Sequence, residues 1–356
     1  RSSDLNSFAK DVEIYTEDGW VNVSALKKGQ RCLSLNPEDF DLEYVPVVAT
    51  VSHSQDRMIH FVSHNFDLLV TPEHDMFALR GEQPYTQGHH WEFIQAKDIT
   101  CGMSFYRSSA WKGKDSPYIE IEGRRFSTEL FFEFMGWWLS EGSLCCEYIV
   151  LNQENKANPD RYDKVCEIAN KLSTIGKVWC GVENVHFVNP ELRTYLSRFD
   201  DPHKKHIPEE LKEYSPKYLR ILLDAYYAGT KIRRTLKCFD DDLIYVTASK
   251  RVADDIGELL VKVGRCPLYF LHKEKGEEGN SRNNSSFPHD LWIIRECYSQ
   301  VSRVGQPYGV RKSIVDYNDM VYCVQLHKFH TLLVRRNGKV AWSGNCRCVW
   351  IPSELP

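Results

Sequence analysis

SFAKDVEIYTEDGWVNV, residues 7–23, reads as strand, turn and strand. Val12 and Ile14 before the turn Glu17-Asp18-Gly19, and Val21 and Val23 after it, alternate with polar residues, as a hairpin with one buried face requires. Working outward, LEYVPVVATV (42–51), MIHFV (58–62) and FDLLV (66–70) are short runs rich in β-branched and aromatic residues. WEFIQAKDITCGM (91–103) continues the pattern, with Gly102 as a turn. The opening third of the chain is therefore expected to be mainly β.

From about residue 115 the texture changes. STELFFEFMGWWLSEG has helical length and periodicity, with Ser127 as N-cap and Gly142 near its end. The strand CEYIVLNQ follows, and then the amphipathic helix DRYDKVCEIANKLSTIG, closed by Gly176. A related order recurs: helix SPKYLRILLDAYYAG, strand LIYVTA, helix SKRVADDIGELLVKVG closed by Gly264, and strand PLYFLHK. Two such copies imply a pseudo-two-fold α/β domain over 115–313. KEKGEEGNSRNNSS within it reads as a polar loop. Strands then return in MVYCVQL and HTLLVRR, with Asn337-Gly338 as a hairpin turn. The fold class expected is a mainly β domain, 7–114 and 314–345, split around an α/β insertion, with residues 1–6 and 346–356 as flanks.

The bulk properties fit this division. A chain of 356 residues is long for one core, and 42% apolar with 26% charged residues describes a folded chain rather than a disordered one. Net charge of -4 gives no global attraction to phosphate, so a nucleic-acid role must rest on a local patch. No apolar run is long enough to span a membrane, and RSSDLNSFAK lacks the apolar stretch of a signal peptide. The twelve cysteines show no zinc spacing: Cys145 and Cys146 are adjacent, and Cys346 and Cys348 form a lone CxC. Reduced thiols in a cytoplasmic monomer, one of them reactive, are the expectation.

Chemistry is concentrated at the two ends of the β segments. AWSGN ends in Asn345 and is followed by Cys346. An Asn side-chain amide can attack its own carbonyl, cleaving the following peptide bond and leaving a cyclic imide. The downstream Cys can accept an acyl group. At the other end Ser7 carries a hydroxyl that could take an acyl group from Asn6.

In this arrangement the sequence resembles the intein family, over nearly the whole chain. SFAKDVEIYTEDG looks like the N-terminal intein motif, with Val12 where Thr is common, and Thr71-Pro72-Glu73-His74 looks like the TxxH motif. VYCVQLHKFHTLLV and NGKVAWSGNC look like the two C-terminal motifs. The resemblance implies a Hint-type, horseshoe-like splicing fold and a sequence of steps needing no cofactor. Ser7 would attack the Asn6–Ser7 bond while His74 protonates the departing nitrogen and Thr71 holds the carbonyl or oxyanion. Cys346 would take the acyl group, Asn345 would cyclise with help from His330, and the flanks in cis would join. Gly344 stands where many inteins have His. Cys323 occupies a position often held by Asp or Cys, where it could tune proton transfers or, as in a minority class, act as first nucleophile; that class has a Trp where Met76 stands here. Ser7 paired with Cys346 makes the transfer from oxoester to thiol uphill, so Ser7 is expected to replace a native Cys and to trap or slow the precursor.

FMGWWLSEG (134–142) resembles the first helix of the LAGLIDADG homing endonucleases. By that resemblance Gly136 and Ser140 allow two helices to pack closely, and Glu141 faces a divalent metal. KKHIPEEL, with Lys205, Ile207 and Pro208, and LRILLDAYYAGTK look like the second copy. There Thr230 stands where an acid should be and Lys231 where Gly is usual, while Asp224 lies about one and a half turns too early to substitute. Residues 111–310 hold 29 Lys/Arg against 30 Asp/Glu, without the basic excess of a DNA-binding domain. A degenerate nuclease is expected, with Mg2+ needed only if it is active and double-stranded DNA at the insertion site as its partner. The aromatic residues Trp137, Trp138, Tyr226 and Tyr227 are expected in the core. Two alternatives remain: a working endonuclease or nickase, and a Hedgehog-like autoprocessing domain that would not need Asn345 or Cys346. CRCVWIP faintly resembles the end of phage minor head proteins, which would make the host phage- or prophage-encoded.

Overall fold

The computed structural model describes residues 6–80, 90–153, 159–200, 205–230, 243–273, 290–305, 307 and 309–345. The chain divides into two compact units, one of residues 1–110, 264–268 and 298–356, the other of 111–263 and 269–297. The first is mainly β and the second α/β, the fold class expected. The divisions fall at 110/111 and 297/298 rather than after 114 and 313. Val301–Arg303 pairs with Ser104–Tyr106, and Arg311–Leu326 pairs with Leu42–Val62, so residues 298–313 build the β unit. The polar run from Glu274, Lys231, Cys346 and Cys348 lie outside the described residues.

In the β unit, Glu13–Thr16 and Gly19–Asn22 form the hairpin read from the sequence, with Gly19 at a φ of +95° in its turn. Consecutive neighbours in the main sheet are Lys339–Gly344, Thr331–Arg336, Glu13–Thr16, Arg31–Leu35, Leu42–Val62, Arg311–Leu326, Ser7–Ala9 and Asp67–Val70. Asp67–Val70 pairs back onto Leu42–Val62, so the last four strands close a ring of pairings around Ser7–Ala9. LEYVPVVATV and MIHFV, expected as two strands, are one strand of 21 residues. The SHSQDR stretch between them pairs with Arg311–Leu326 through a register shift between Asp316/Arg57 and Asp319/Gln55, on a largely exposed ribbon, so backbone pairing holds it extended without an apolar face. Asn337 (φ +48°) and Gly338 (φ +74°) make the predicted two-residue turn. Phe8, Val12, Ile14, Phe61, Phe66, Val70, Phe105 and Val334 are among the buried side chains of the core beneath these strands.

In the α/β unit the first central helix is Thr128–Glu141, and the Ser127 hydroxyl accepts from the Leu130 N–H, a cap worth about 1 kcal/mol. The second is Pro216–Gly229. Each is followed by strand and helix: Tyr148–Leu151 and Pro159–Leu172 after the first, Ile244–Thr247 and Lys250–Lys262 after the second. The short strands Gly142–Cys145, Val178–Cys180 and Val185–Phe187 were not expected. The helix expected to reach Gly176 stops at Leu172, because the Thr174 N–H turns to the Val188 carbonyl. Gly264 (φ +76°) follows the end of Lys250–Lys262 as predicted.

The two central helices touch through small residues. A Cβ on Gly136 would lie 2.4 Å from the Leu222 carbonyl oxygen, and one on Gly229 only 1.9 Å from Ser140 Oγ. Trp137, Trp138 and Tyr226 are buried, and Tyr227 is half-buried. Part of the unit's charge is also interior: Lys212 Nζ lies 2.6 Å from Asp255 and 3.2 Å from Glu258, all buried. Among the described residues no helix is long and apolar enough to cross a membrane.

Candidate active site

Strand Ser7–Ala9 lies between Arg311–Leu326 and Asp67–Val70, and this placement fixes the first junction. Cys323 is the cross-strand partner of Ser7. The chain leaves Asp67–Val70 directly into Thr71, whose N–H donates to the Ser7 carbonyl (3.0 Å) and whose hydroxyl accepts from the Ser7 N–H (3.1 Å). The expectation placed Thr71 on the scissile carbonyl; the contact seen is with the scissile nitrogen. The His74 N–H donates to the Thr71 carbonyl at 3.0 Å, which curls TPEH into a turn and buries the imidazole. Its ring packs edge-on against Phe8 with centroids 4.5 Å apart.

Burial pushes His74 down to about 3, against a smaller opposing hydrogen bond that the ring makes to the Gly344 backbone, so the imidazole is neutral near pH 7. His74 Nε2 lies 2.9 Å from Ser343 Oγ. Ser343 was not singled out in the sequence; its only signal was its place two residues before Asn345.

The second junction comes to the same place. Lys339–Gly344 pairs with Thr331–Arg336, setting Gly344 opposite Thr331 and carrying Asn345 back to His330. The Asn345 N–H donates to the His330 carbonyl (3.0 Å), and His330 Nδ1 is 3.3 Å from Asn345 Oδ1. This loop is held in a costly conformation: Phe329 (φ +65°) and His330 (φ +58°) are successive non-glycine residues in the left-handed region, about 1–3 kcal/mol each. Asn345 is fully buried.

The junctions are joined by a side chain from the flank. Asn6 Nδ2 donates to the Asn345 carbonyl oxygen at 3.0 Å and to Asp75 Oδ2 at 3.1 Å. Asp75, also missed, had only adjacency to His74 as a signal. Asp75 further accounts for Gly344: a Cβ there would stand 2.1 Å from the Asp75 carbonyl oxygen, so the usual His has no room. Among the described residues, Ser7 Oγ and Asn345 Nδ2 are buried without a hydrogen-bond partner. An unsatisfied buried polar atom costs about 1–3 kcal/mol, and these two are the atoms that would act as nucleophiles. Ser7, Thr71, His74, Cys323, His330 and Asn345 thus belong to one site of the β unit.

Glu141 and Thr230 belong to the α/β unit and line one cavity with Asn152, Lys205, Tyr226 and Thr247. The Thr230 hydroxyl donates to the Tyr226 carbonyl at 3.0 Å and is buried. Lys205 Nζ donates to the carbonyls of Trp138 (3.1 Å) and Gly142 (2.5 Å) and lies over the Trp138 ring. Burial lowers Lys205 to about 8, against the attraction of Asp200 and Glu141. One carboxylate, a committed hydroxyl and a neighbouring ammonium do not fit a centre that holds divalent metal between two acids.

No family model matches the chain. It is 25% identical over 404 aligned residues to a DNA-directed RNA polymerase subunit beta C-terminal section of Stigeoclonium helveticum, covering 96% of this chain and 36% of that protein. The chain spans about a third or less of the length of the curated relatives it matches. It is 18% identical to a bacterial intein-like domain from Clostridium thermocellum, with a TM-score of 0.24, covering 29% of this chain and 67% of that one. With a variant of I-DmoI bound to its target DNA it shares 11% identity and a TM-score of 0.31, covering 48% and 89%. Among the solved structures to which this chain is similar are thus inteins and an intein-like domain on one side, and a LAGLIDADG homing endonuclease on the other.

Proposed function

We propose that the chain is a self-splicing intein from Ser7 to Asn345, carried between host flanks and interrupted by a LAGLIDADG-type unit that has lost half of its metal site. The observation that carries this reading is the meeting of two junctions 339 residues apart, Asn6 Nδ2 on the Asn345 carbonyl, in a buried site. Proximity of this kind is what turns a difficult acyl transfer into an intramolecular one.

In the first step the Ser7 Oγ attacks the Asn6 carbonyl carbon and the bond to the Ser7 nitrogen breaks, giving an ester and a free amine. Thr71 Oγ1, 3.1 Å from that nitrogen, holds the amide in place. The neutral His74 takes up and returns the proton in its buried pocket. The Cys346 thiol then displaces Ser7 from the acyl carbon, Asn345 cyclises with His330 on its side-chain oxygen, and the freed amine of Cys346 takes the acyl group into a peptide bond. Ser7 slows this route because ester-to-thioester transfer is uphill. A second reading, in which Cys323 takes part in the first step, is favoured by its register opposite Ser7.

The inserted unit retains the close helix pair, with double-strand cutting lost and DNA binding or nicking as residual activities. The partners are the flanks in cis, with double-stranded DNA at the insertion site second; the setting is a reducing cytoplasm, as a monomer. Expression with Ser7→Cys followed by intact-mass measurement tests the splicing reading. Excised chain plus joined flanks is the expected result; unchanged precursor under mild reducing conditions would count against it.

A further inference from the structure

Asn6 lies outside the Ser7–Asn345 segment, yet its side chain is fastened into the far junction. The residue is 8% exposed, and its carboxamide nitrogen is within hydrogen-bond distance of the Asn345 carbonyl oxygen and an Asp75 carboxylate oxygen. Both partners are acceptors, so the amide cannot be turned over: its oxygen would then face two oxygens. Its two N–H groups are thereby aimed, one at Asp75 and one at the carbonyl that Asn345 attacks.

We propose that Asn6 is the oxyanion donor for cyclisation of Asn345, and that Asp75 is the positioning residue that aims it. The inference rests on the splicing reading and adds to it a role for the flank. In the step concerned, Asn345 Nδ2 forms a bond to the Asn345 carbonyl carbon. Negative charge gathers on the carbonyl oxygen, 3.0 Å from the Asn6 donor. The bond to the Cys346 nitrogen breaks, and the proton lost from Nδ2 ends on that nitrogen. The products are a succinimide and a free amino terminus. While Asn6 is still bonded to residue 7, the last residue of one flank thus sets the rate at which the other flank is released. Asn at this position is a functional requirement of the C-terminal junction rather than an accident of the host.

The test uses the full chain with Ser7→Ala, in which no acyl shift can occur, and reads release of the C-terminal flank and succinimide formation by intact mass. Asn345→Ala in the same chain defines the dependence on cyclisation. Asn6→Leu, which removes the donor at nearly constant shape and adds no charge beside Asp75, is expected to slow release about 10²-fold, the loss typical of one oxyanion donor. Asp75→Ala is expected to slow release when Asn6 is present and to add nothing beyond Asn6→Ala, a non-additivity that general loosening would not produce. Release as fast in the Asn6→Leu chain as in its parent, while still dependent on Asn345, overturns this inference and leaves the splicing reading standing. Absence of any Asn345-dependent release from the parent overturns both.

Discussion

His74 Nε2 and Ser343 Oγ lie 2.9 Å apart, both fully buried, and this contact ties the turn after strand Asp67–Val70 to the strand that delivers Asn345. With the imidazole neutral, one ring nitrogen carries a proton and the other does not, and the Ser343 hydroxyl, which can donate or accept, partners Nε2 in either tautomer. Ser343→Ala leaves Nε2 without that partner in a site that water does not reach. The expected outcome is a loss of stability of about 1–3 kcal/mol. Hydroxylamine cleavage at Asn6–Ser7 should also slow by about tenfold, equivalent to roughly 1.4 kcal/mol in the barrier. Ser343→Thr, which keeps the hydroxyl, should recover part of the rate; equal rates in the parent and the Ala variant would remove Ser343 from the mechanism.

The depressed His74 makes stability depend on pH with a definite sign. The unfolded chain takes a proton on this residue near 6.5, whereas the folded chain takes it only near 3 because burial penalises the charged form. Its contribution is therefore complete above about pH 6.5 and is lost progressively as pH falls toward 3. Asp255, pushed up to about 6 mainly by burial, contributes in the opposite direction: its folded form holds a proton that the unfolded form releases near 3.8. Denaturant titrations from pH 7.5 to 4 should therefore compare the chain with His74→Gln, in which only the His74 part is removed. A shallower fall in the variant is expected; parallel curves would mean that His74 takes up its proton at the same pH in the folded and the unfolded chain.

Much of the fold and the site was legible in the sequence for a physical reason. Hairpin chemistry at Glu17-Asp18-Gly19 and Asn337-Gly338, N-caps such as Ser127, and the small residues of the helix pair are local signals, and each sits where its own chemistry demands. Ser7, Thr71, His74, His330 and Asn345 stood out through their places in four motifs that resemble those of inteins, in the same order along the chain. Ser343 and Asp75 did not, since Ser and Asp populate any polar turn and gain meaning only when remote strands bring them to His74 and Asn6. The 21-residue strand was missed for the complementary reason: backbone pairing, which leaves no mark on composition, holds its polar middle.

Gly344 gives a prediction in which restoring the commoner residue does harm. A side chain there meets backbone, with the Asp75 carbonyl oxygen 2.1 Å and carbonyl carbon 2.9 Å from the added Cβ. Backbone cannot rotate aside as a side-chain tip can, so the strand ends must part. Gly344→Ala should cost about 1–3 kcal/mol and slow flank release, and Gly344→His should be worse despite its imidazole. Mass-resolved release rates and melting temperatures check this. Faster C-terminal cleavage in Gly344→His would show that the strand ends part readily.

The α/β unit offers a test of whether the site of the β unit needs it. Gly136 faces the second central helix so closely that a Cβ would lie 2.4 Å from the Leu222 carbonyl oxygen, 2.6 Å from Ala225 Cβ and 2.8 Å from the Tyr226 nitrogen. Gly136→Ala must therefore push two helices apart along their whole contact, losing packing on both sides of the added methyl, at about 1–3 kcal/mol. Asn6, Ser7, Thr71, His74, Asp75, Cys323, His330, Ser343 and Asn345 all belong to the β unit, so none loses a partner directly. The expected calorimetric result is two transitions, of which one moves down with Gly136→Ala while the other stays. Cleavage rates at both junctions, measured below the lower transition, should match those of the parent. A fall in junction cleavage parallel to the loss of helix packing would mean that the β unit depends on the α/β unit for the geometry of its site.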